Sequence, residues 1–154
     1  MVLIQIAAAF AISLGYSIIY NIPKKYILIA SAIGAASKLL MFFFLRTEDF
    51  GYFFPTLVAT IFVTVLSHVC AKVFKTATTI FIAPGIMSFA PGGAAYSCIE
   101  SFMHRNTDVG WAKLGEVAAV AGAIALGIFV IDLIFNLIGN RKKKLMAKGG
   151  QAAE

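Results

Sequence analysis

TTIFIAPGIMSFAPGGAAYSCIESFMHR, residues 78–105, decides how the rest of the chain is read. It is apolar enough to sit in a membrane, yet Pro84-Gly85 and Pro91-Gly92-Gly93 interrupt it. A proline lacks the backbone donor and crowds the carbonyl four residues earlier, so neither pair suits a straight helix. In lipid, a freed peptide group finds no water, and irregular backbone survives only against protein or along a wet cavity. The stretch therefore reads as a transmembrane helix broken by its Pro-Gly pairs, the kind of element that forms substrate sites in carriers. The plainer alternative is a kinked packing helix, since Pro and Gly are frequent in membrane helices generally.

Composition points the same way. Of 154 residues, 60% are hydrophobic and 13% charged, where a soluble domain carries roughly 25% charged. The expected class is an all-α integral membrane protein. The net charge of +6 does not imply nucleic-acid binding, because five of the thirteen basic residues (Arg141, Lys142, Lys143, Lys144 and Lys148) crowd the C-terminal tail beside the last apolar segment. They read as cytoplasmic anchors facing anionic lipid. Cys70 and Cys98 lie in apolar segments with no CxxC, which suggests neither a disulfide framework nor a metal site. The N-terminus has no basic n-region and no small-residue cleavage motif, so residues 2–20 read as a retained span rather than a signal peptide.

A span needs about 20 mostly apolar residues. Five segments qualify, at about 2–20, 26–45, 53–71, 76–103 and 111–138, which predicts a bundle of five transmembrane helices over residues 1–139, the fourth broken, and a basic cytoplasmic tail over 140–154. With the N-terminus outside, Lys24, Lys25, Lys72, Lys75 and the five tail residues lie inside, while Arg46, Arg105 and Lys113 lie outside. That bias obeys the positive-inside rule. If residues 76–103 turned back as a re-entrant hairpin, the tail would fall on the wrong face.

Several polar groups sit within these segments. Thr56, Thr60, Thr64 and His68 recur every four residues, which keeps them on one slowly drifting helix face. They are either interhelical glue, at about 0.6 kcal/mol per hydrogen bond, or the lining of a polar path. His68 is either an interfacial histidine or a proton carrier, since imidazole changes charge near neutral pH. Lys38 lies eight residues before Arg46, about 12 Å from the outer end. A lysine there costs a few kcal/mol unless it snorkels or finds a partner. Glu100, in the outer half of the fourth segment, is the expected partner. Asp132 is either a proton or ammonium site, or a cap for the basic tail. Ala119, Ala123 and Gly127 stand four apart, which predicts close packing of the fifth span on a neighbour. No catalytic set, phosphate loop or metal-ligand cluster appears, so neither an enzyme nor a cofactor is expected.

Pro84-Gly85-Ile86, Pro91-Gly92 and then Tyr96 resemble the PGI…PG…Y signature of the threonine/serine exporter family, in its small membrane subunit, the counterpart of the C-terminal half of fused exporters. Tyr20-Asn21-Ile22-Pro23 resembles the family's first hairpin. Ser31 to Lys38 resembles its Gly-rich second span, with lysine where arginine is frequent. The likeness runs from Leu14 to Lys142. It implies a secondary transporter in the bacterial cytoplasmic membrane that exports threonine and serine, driven by protons. It also implies a larger membrane partner subunit; a homo-oligomer is open too. Some related two-subunit systems are linked to dicarboxylates such as succinate, which is one alternative; a non-transporting scaffold and a passive channel are others. On this reading Lys38 and the Gly92-Gly93 N–H groups meet a substrate carboxylate, the latter as a helix N-terminus attracts anions. Glu100 and carbonyls freed near Phe81 to Ala83 meet the ammonium, and Tyr96, Ser97, Thr60 and Thr64 meet a hydroxyl. His68 and Asp132 are the candidates for a proton relay.

Overall fold

A computed structural model describes residues 2–45 and 51–150, with side chains described over 4–45 and 51–138. Arg46 and the side chains of the basic tail lie outside the described residues. All regular structure among the described residues is helical: α1 (Val2–Ile19), α2 (Lys24–Leu45), α3 (Phe53–Phe74), α4 (Thr79–Met87), α5 (Gly92–Met103) and α6 (Thr107–Gly150). Lys24–Leu45, Phe53–Phe74 and Thr107–Ile138 are each long and apolar enough to cross a membrane, and Ile4–Ile19 is a shorter apolar helix. The last helix continues past residue 139, where the sequence suggested a tail, and keeps its backbone helical to Gly150.

The first hairpin follows from one residue. Asn21 adopts φ 54°, a left-handed conformation that asparagine tolerates better than most side chains. Its N–H donates to Ile18 O and that of Ile22 donates to Ser17 O, the paired bonds of a Schellman cap. Pro23 then prevents continuation, and α2 runs back along α1.

The core lies among α2, α3 and α4, where Ala30, Ile33, Ala59, Val63 and Phe81 are buried. Side-chain pairs give the directions. Tyr26 meets Phe81 edge-on at 5.8 Å, and a Cβ on Gly34 would reach Ser88, so α2 and α4 run parallel. Phe74 meets Phe81 and Val63 packs on Gly85, so α3 and α4 run antiparallel. Thr60 packs on Gly127 and His68 bonds Asp132, so α3 and α6 run parallel. α5 packs on α6, with the Cys98 thiol on Gly110 O.

The two Pro-Gly pairs behave differently. Pro84 lies inside α4 and does not break it. Pro84 and Gly85 are both buried, and the bare Gly85 admits the Val63 side chain to within 2.9 Å of where a Cβ would stand. The first pair thus serves packing. The interruption comes at residues 88–91, with Pro91 capping α5 and Gly92-Gly93 opening it.

Candidate functional site

Where α4 ends, its last turn tightens: the Ser88 N–H donates to Gly85 O, three residues back. The Pro84 carbonyl, which a regular helix would pair with Ser88, is taken instead by the Ser13 hydroxyl at 3.0 Å. Ser88 reciprocates by donating to Ala9 O at 3.2 Å. Both serines are buried. Two hydroxyls on opposite helices thus clasp the end of α4 to α1. Gly34 of α2 closes the triangle, because a Cβ there would stand 2.5 Å from Ser13 Oγ and 2.9 Å from Ser88 Oγ.

Directly beside this clasp lies a cavity of about 290 Å³, lined by Gln5 and Ile12 of α1, Lys38, Met41 and Phe42 of α2, and Ser88. That is the size of a small-metabolite site. Among the described residues that line it, Lys38 is the charged one. Lys38 has no ion pair among the described residues, which leaves an ammonium in a largely apolar recess with an amide and a hydroxyl for company. Such a recess favours a small anion, and a carboxylate above all, whose two oxygens can accept from Lys38 and from the Gln5 amide. Ser88, with its proton committed to Ala9 O, keeps lone pairs free for a ligand's N–H or O–H donors.

The other residues singled out in the sequence fall into three places. Thr60 and Thr64 are wholly buried, and their hydroxyls bond Thr56 O and Thr60 O of their own helix, each at 2.8 Å. Thr60 packs against Gly127 of α6. These threonines therefore sit in the α3–α6 contact, away from the Lys38 cavity. We expect Thr60→Val and Thr64→Val each to change the unfolding free energy by no more than about 1 kcal/mol, because each removes only a back-bond of that size; a larger loss on thermal unfolding would mean that these hydroxyls hold more than their own helix.

Tyr96 and Glu100 line a second recess of about 260 Å³ with Ile99, Met103 and His104, on the exposed side of α5. Ser97 lies in the same helix, its carbonyl accepting from Ser101. Lys38 and Glu100 are not brought together: they line different recesses, and α5 packs on α6 while α2 packs on α1, α3 and α4. Gly92 and Gly93 are exposed, with the Gly92 N–H donating to Ala90 O at 2.8 Å, and neither lines the Lys38 cavity.

His68 and Asp132 do meet, His68 Nε2 lying 2.6 Å from Asp132 Oδ1. The imidazole lies flat on Phe135, with ring centres 4.3 Å apart and planes 7° apart. Lys72 Nζ stands 5.7 Å from the same phenyl ring. On α6, Val120, Ala123, Gly127 and Ile131 form the buried stripe that faces α3, which includes two of the three small residues expected to pack closely.

Gln5, Ser13, Gly34 and Ser88 were not singled out as site residues by the sequence reading. Gln5 had a signal, as the only amide in an otherwise apolar first helix. Ser88 had one too, as the polar residue between the two Pro-Gly pairs. Ser13 had none, because buried helical serines ordinarily bond their own backbone, as Ser17 does to Ser13 O.

Comparison with known proteins gives one match. The family described as Threonine/Serine exporter, ThrE matches over residues 5–134. No curated protein and no solved structure matches.

Proposed function

The chain belongs to the threonine/serine exporter family, and from that premise we propose that it is the membrane subunit of a proton-coupled secondary transporter that exports threonine and serine. The observation that carries this reading is the lone cation Lys38 in a small recess with Gln5 and Ser88, at the interruption between α4 and α5. Many secondary carriers form their substrate site at discontinuous helices, deep in the bilayer. A zwitterionic amino acid needs a cation for its carboxylate and oxygen acceptors for its ammonium. Lys38 supplies the first, and Ser88 Oγ is an acceptor at the same recess.

Five crossings agree with the helix directions. α4 has 9 residues and α5 has 12, together about 31 Å at 1.5 Å per residue, the thickness of the hydrocarbon core. With α4 and α5 taken as one broken crossing, α2 and α4 head outward while α3 and α6 head inward, as their parallel pairings require. A re-entrant α4–α5 would make α6 antiparallel to α3. The charge bias supports an N-terminus outside and a C-terminus in the cytoplasm, in line with the bacterial inner membrane that the exporter reading implies. Five crossings are few for alternating access, which supports assembly, with a larger membrane partner subunit or with further copies of the chain.

The test is export from cells that lack their own threonine and serine exporters. After loading with a threonine-containing dipeptide, cells expressing the chain together with its larger subunit should clear threonine faster than vector controls. A protonophore should remove the difference. Clearance equal to the control, in cells where both subunits reach the membrane, rules the reading out.

A further inference from the structure

The transport cavity leaves the His68–Asp132 pair unused. The two residues are 64 positions apart, and they join the two parallel helices α3 and α6 six residues before each apolar segment ends. The side chain of His68 is 18% exposed and that of Asp132 is 44% exposed, so the pair is sheltered yet reachable. Phe135 fixes the plane of the imidazole by stacking. With Nε2 committed to the carboxylate, the second ring nitrogen, Nδ1, has no partner among the described residues.

We propose that His68 and Asp132 form the chain's proton-binding site, loaded at Nδ1 of His68, and that its charge state sets the α3–α6 contact during transport; this rests on the exporter reading above. The charge balance is simple. With a neutral imidazole donating from Nε2 to an ionised Asp132, the pair carries one negative charge. A proton taken up at Nδ1 makes an imidazolium against a carboxylate, and the pair becomes neutral overall. A neutral pair is far cheaper to shift through a low-dielectric region than one with net charge. Release of that proton restores the negative charge. One proton is therefore carried per cycle, with no other reactant.

Among the described residues, Lys72 stands over the same Phe135 ring, its Nζ 5.7 Å from the ring centre. Against α3 also pack α2, whose ionisable groups are Lys24, Lys25, Tyr26 and Lys38, and α4, which carries none. Lys25 is engaged over the Tyr26 ring at 4.6 Å, and Lys38 lies in the other cavity. On α6 itself Asp108, Lys113 and Glu116 lie toward the opposite end, with Lys113 bonded to Glu116 at 2.8 Å, while Arg141, Lys142, Lys143, Lys144 and Lys148 follow Asp132 by nine or more positions, their side chains outside the described residues. Glu100, Tyr96, Cys98 and His104 of α5 pack near that same end.

The conservative variants His68→Gln and Asp132→Asn keep an amide in hydrogen-bonding reach; the first removes the ring that takes the proton, and the second removes the carboxylate that makes the protonated pair neutral. The transporter complex is reconstituted in liposomes, and two modes are measured. One is threonine movement driven by a pH gradient. The other is exchange of labelled for unlabelled threonine at equal pH on both sides, which needs no net proton transfer. Each variant should lose gradient-driven movement by at least about tenfold, as expected when a relay group within a membrane segment is removed, and keep exchange within about twofold of the parent. Gradient-driven movement at the parent level overturns the proposal. So does loss of both modes together, or failure of both variants to assemble, because the pair would then be a structural tie. Absence of exchange in the parent complex instead sinks the exporter reading itself.

Discussion

Replacing Lys38 by methionine should cut threonine export roughly 10- to 100-fold and, at the same time, make the protein more resistant to unfolding. The two effects have one cause. An ammonium within a membrane segment costs about 2.5–3.5 kcal/mol on insertion scales, and Lys38 has no ion pair among the described residues to offset that. Methionine fills similar volume and removes the cost. Yet a hydrogen bond to a charged group contributes about 1.5–3 kcal/mol, so loss of the cation should weaken substrate binding roughly 10- to 100-fold. Lys38→Arg should restore part of the activity, since the charge is kept in a bulkier fork. The measurements are exchange transport and thermal unfolding in detergent. A Lys38→Met protein that transports normally, or one that loses activity because it has become less stable, would remove Lys38 from the substrate site.

The second large effect is expected at Gly34. A methyl group there would stand 2.5 Å from Ser13 Oγ, 2.8 Å from Ser13 Cβ and 2.9 Å from Ser88 Oγ. Serine is too short to swing its base aside, so α1 and the end of α4 must both retreat. Overpacking of this kind costs about 1–3 kcal/mol, and the Ser13–Pro84 and Ser88–Ala9 bonds are strained with it, at about 1 kcal/mol each. Gly34→Ala should therefore lower the unfolding temperature and the transport rate together. Ser13→Gly added to Gly34→Ala removes the two closest atoms and should recover a large part of both. If Gly34→Ala unfolds within a degree of the parent, the three helices do not meet as tightly as described.

The sequence made the helical class legible through bulk composition and segment length, because lipid leaves few ways to satisfy a backbone. It made Lys38, His68 and Asp132 legible as rare charges in apolar surroundings. What it could not supply was adjacency. His68 and Asp132 were separate candidates until the parallel run of α3 and α6 joined them, and nothing local to either residue encodes that pairing. Lys38 and Glu100 seemed natural partners by depth, yet α5 lies against α6 rather than α2. The prolines show the same limit. Pro84 and Pro91 look alike in the chain, but one is absorbed by packing against α3 and the other begins a new helix. The threonine stripe was read correctly as one face, and its hydroxyls turn inward to their own helix.

The fastening of the interrupted joint carries a consequence for turnover. Ser13 and Ser88 hold it by neutral donors, and undoing both should cost about 2 kcal/mol. At room temperature that leaves roughly one molecule in thirty unfastened at any instant. Rearrangements on the microsecond-to-millisecond scale typical of carrier gates would then need no outside trigger. Breaking a buried ion pair in the same spot by taking away one partner would cost about 3–5 kcal/mol, more than the two hydroxyl bonds together.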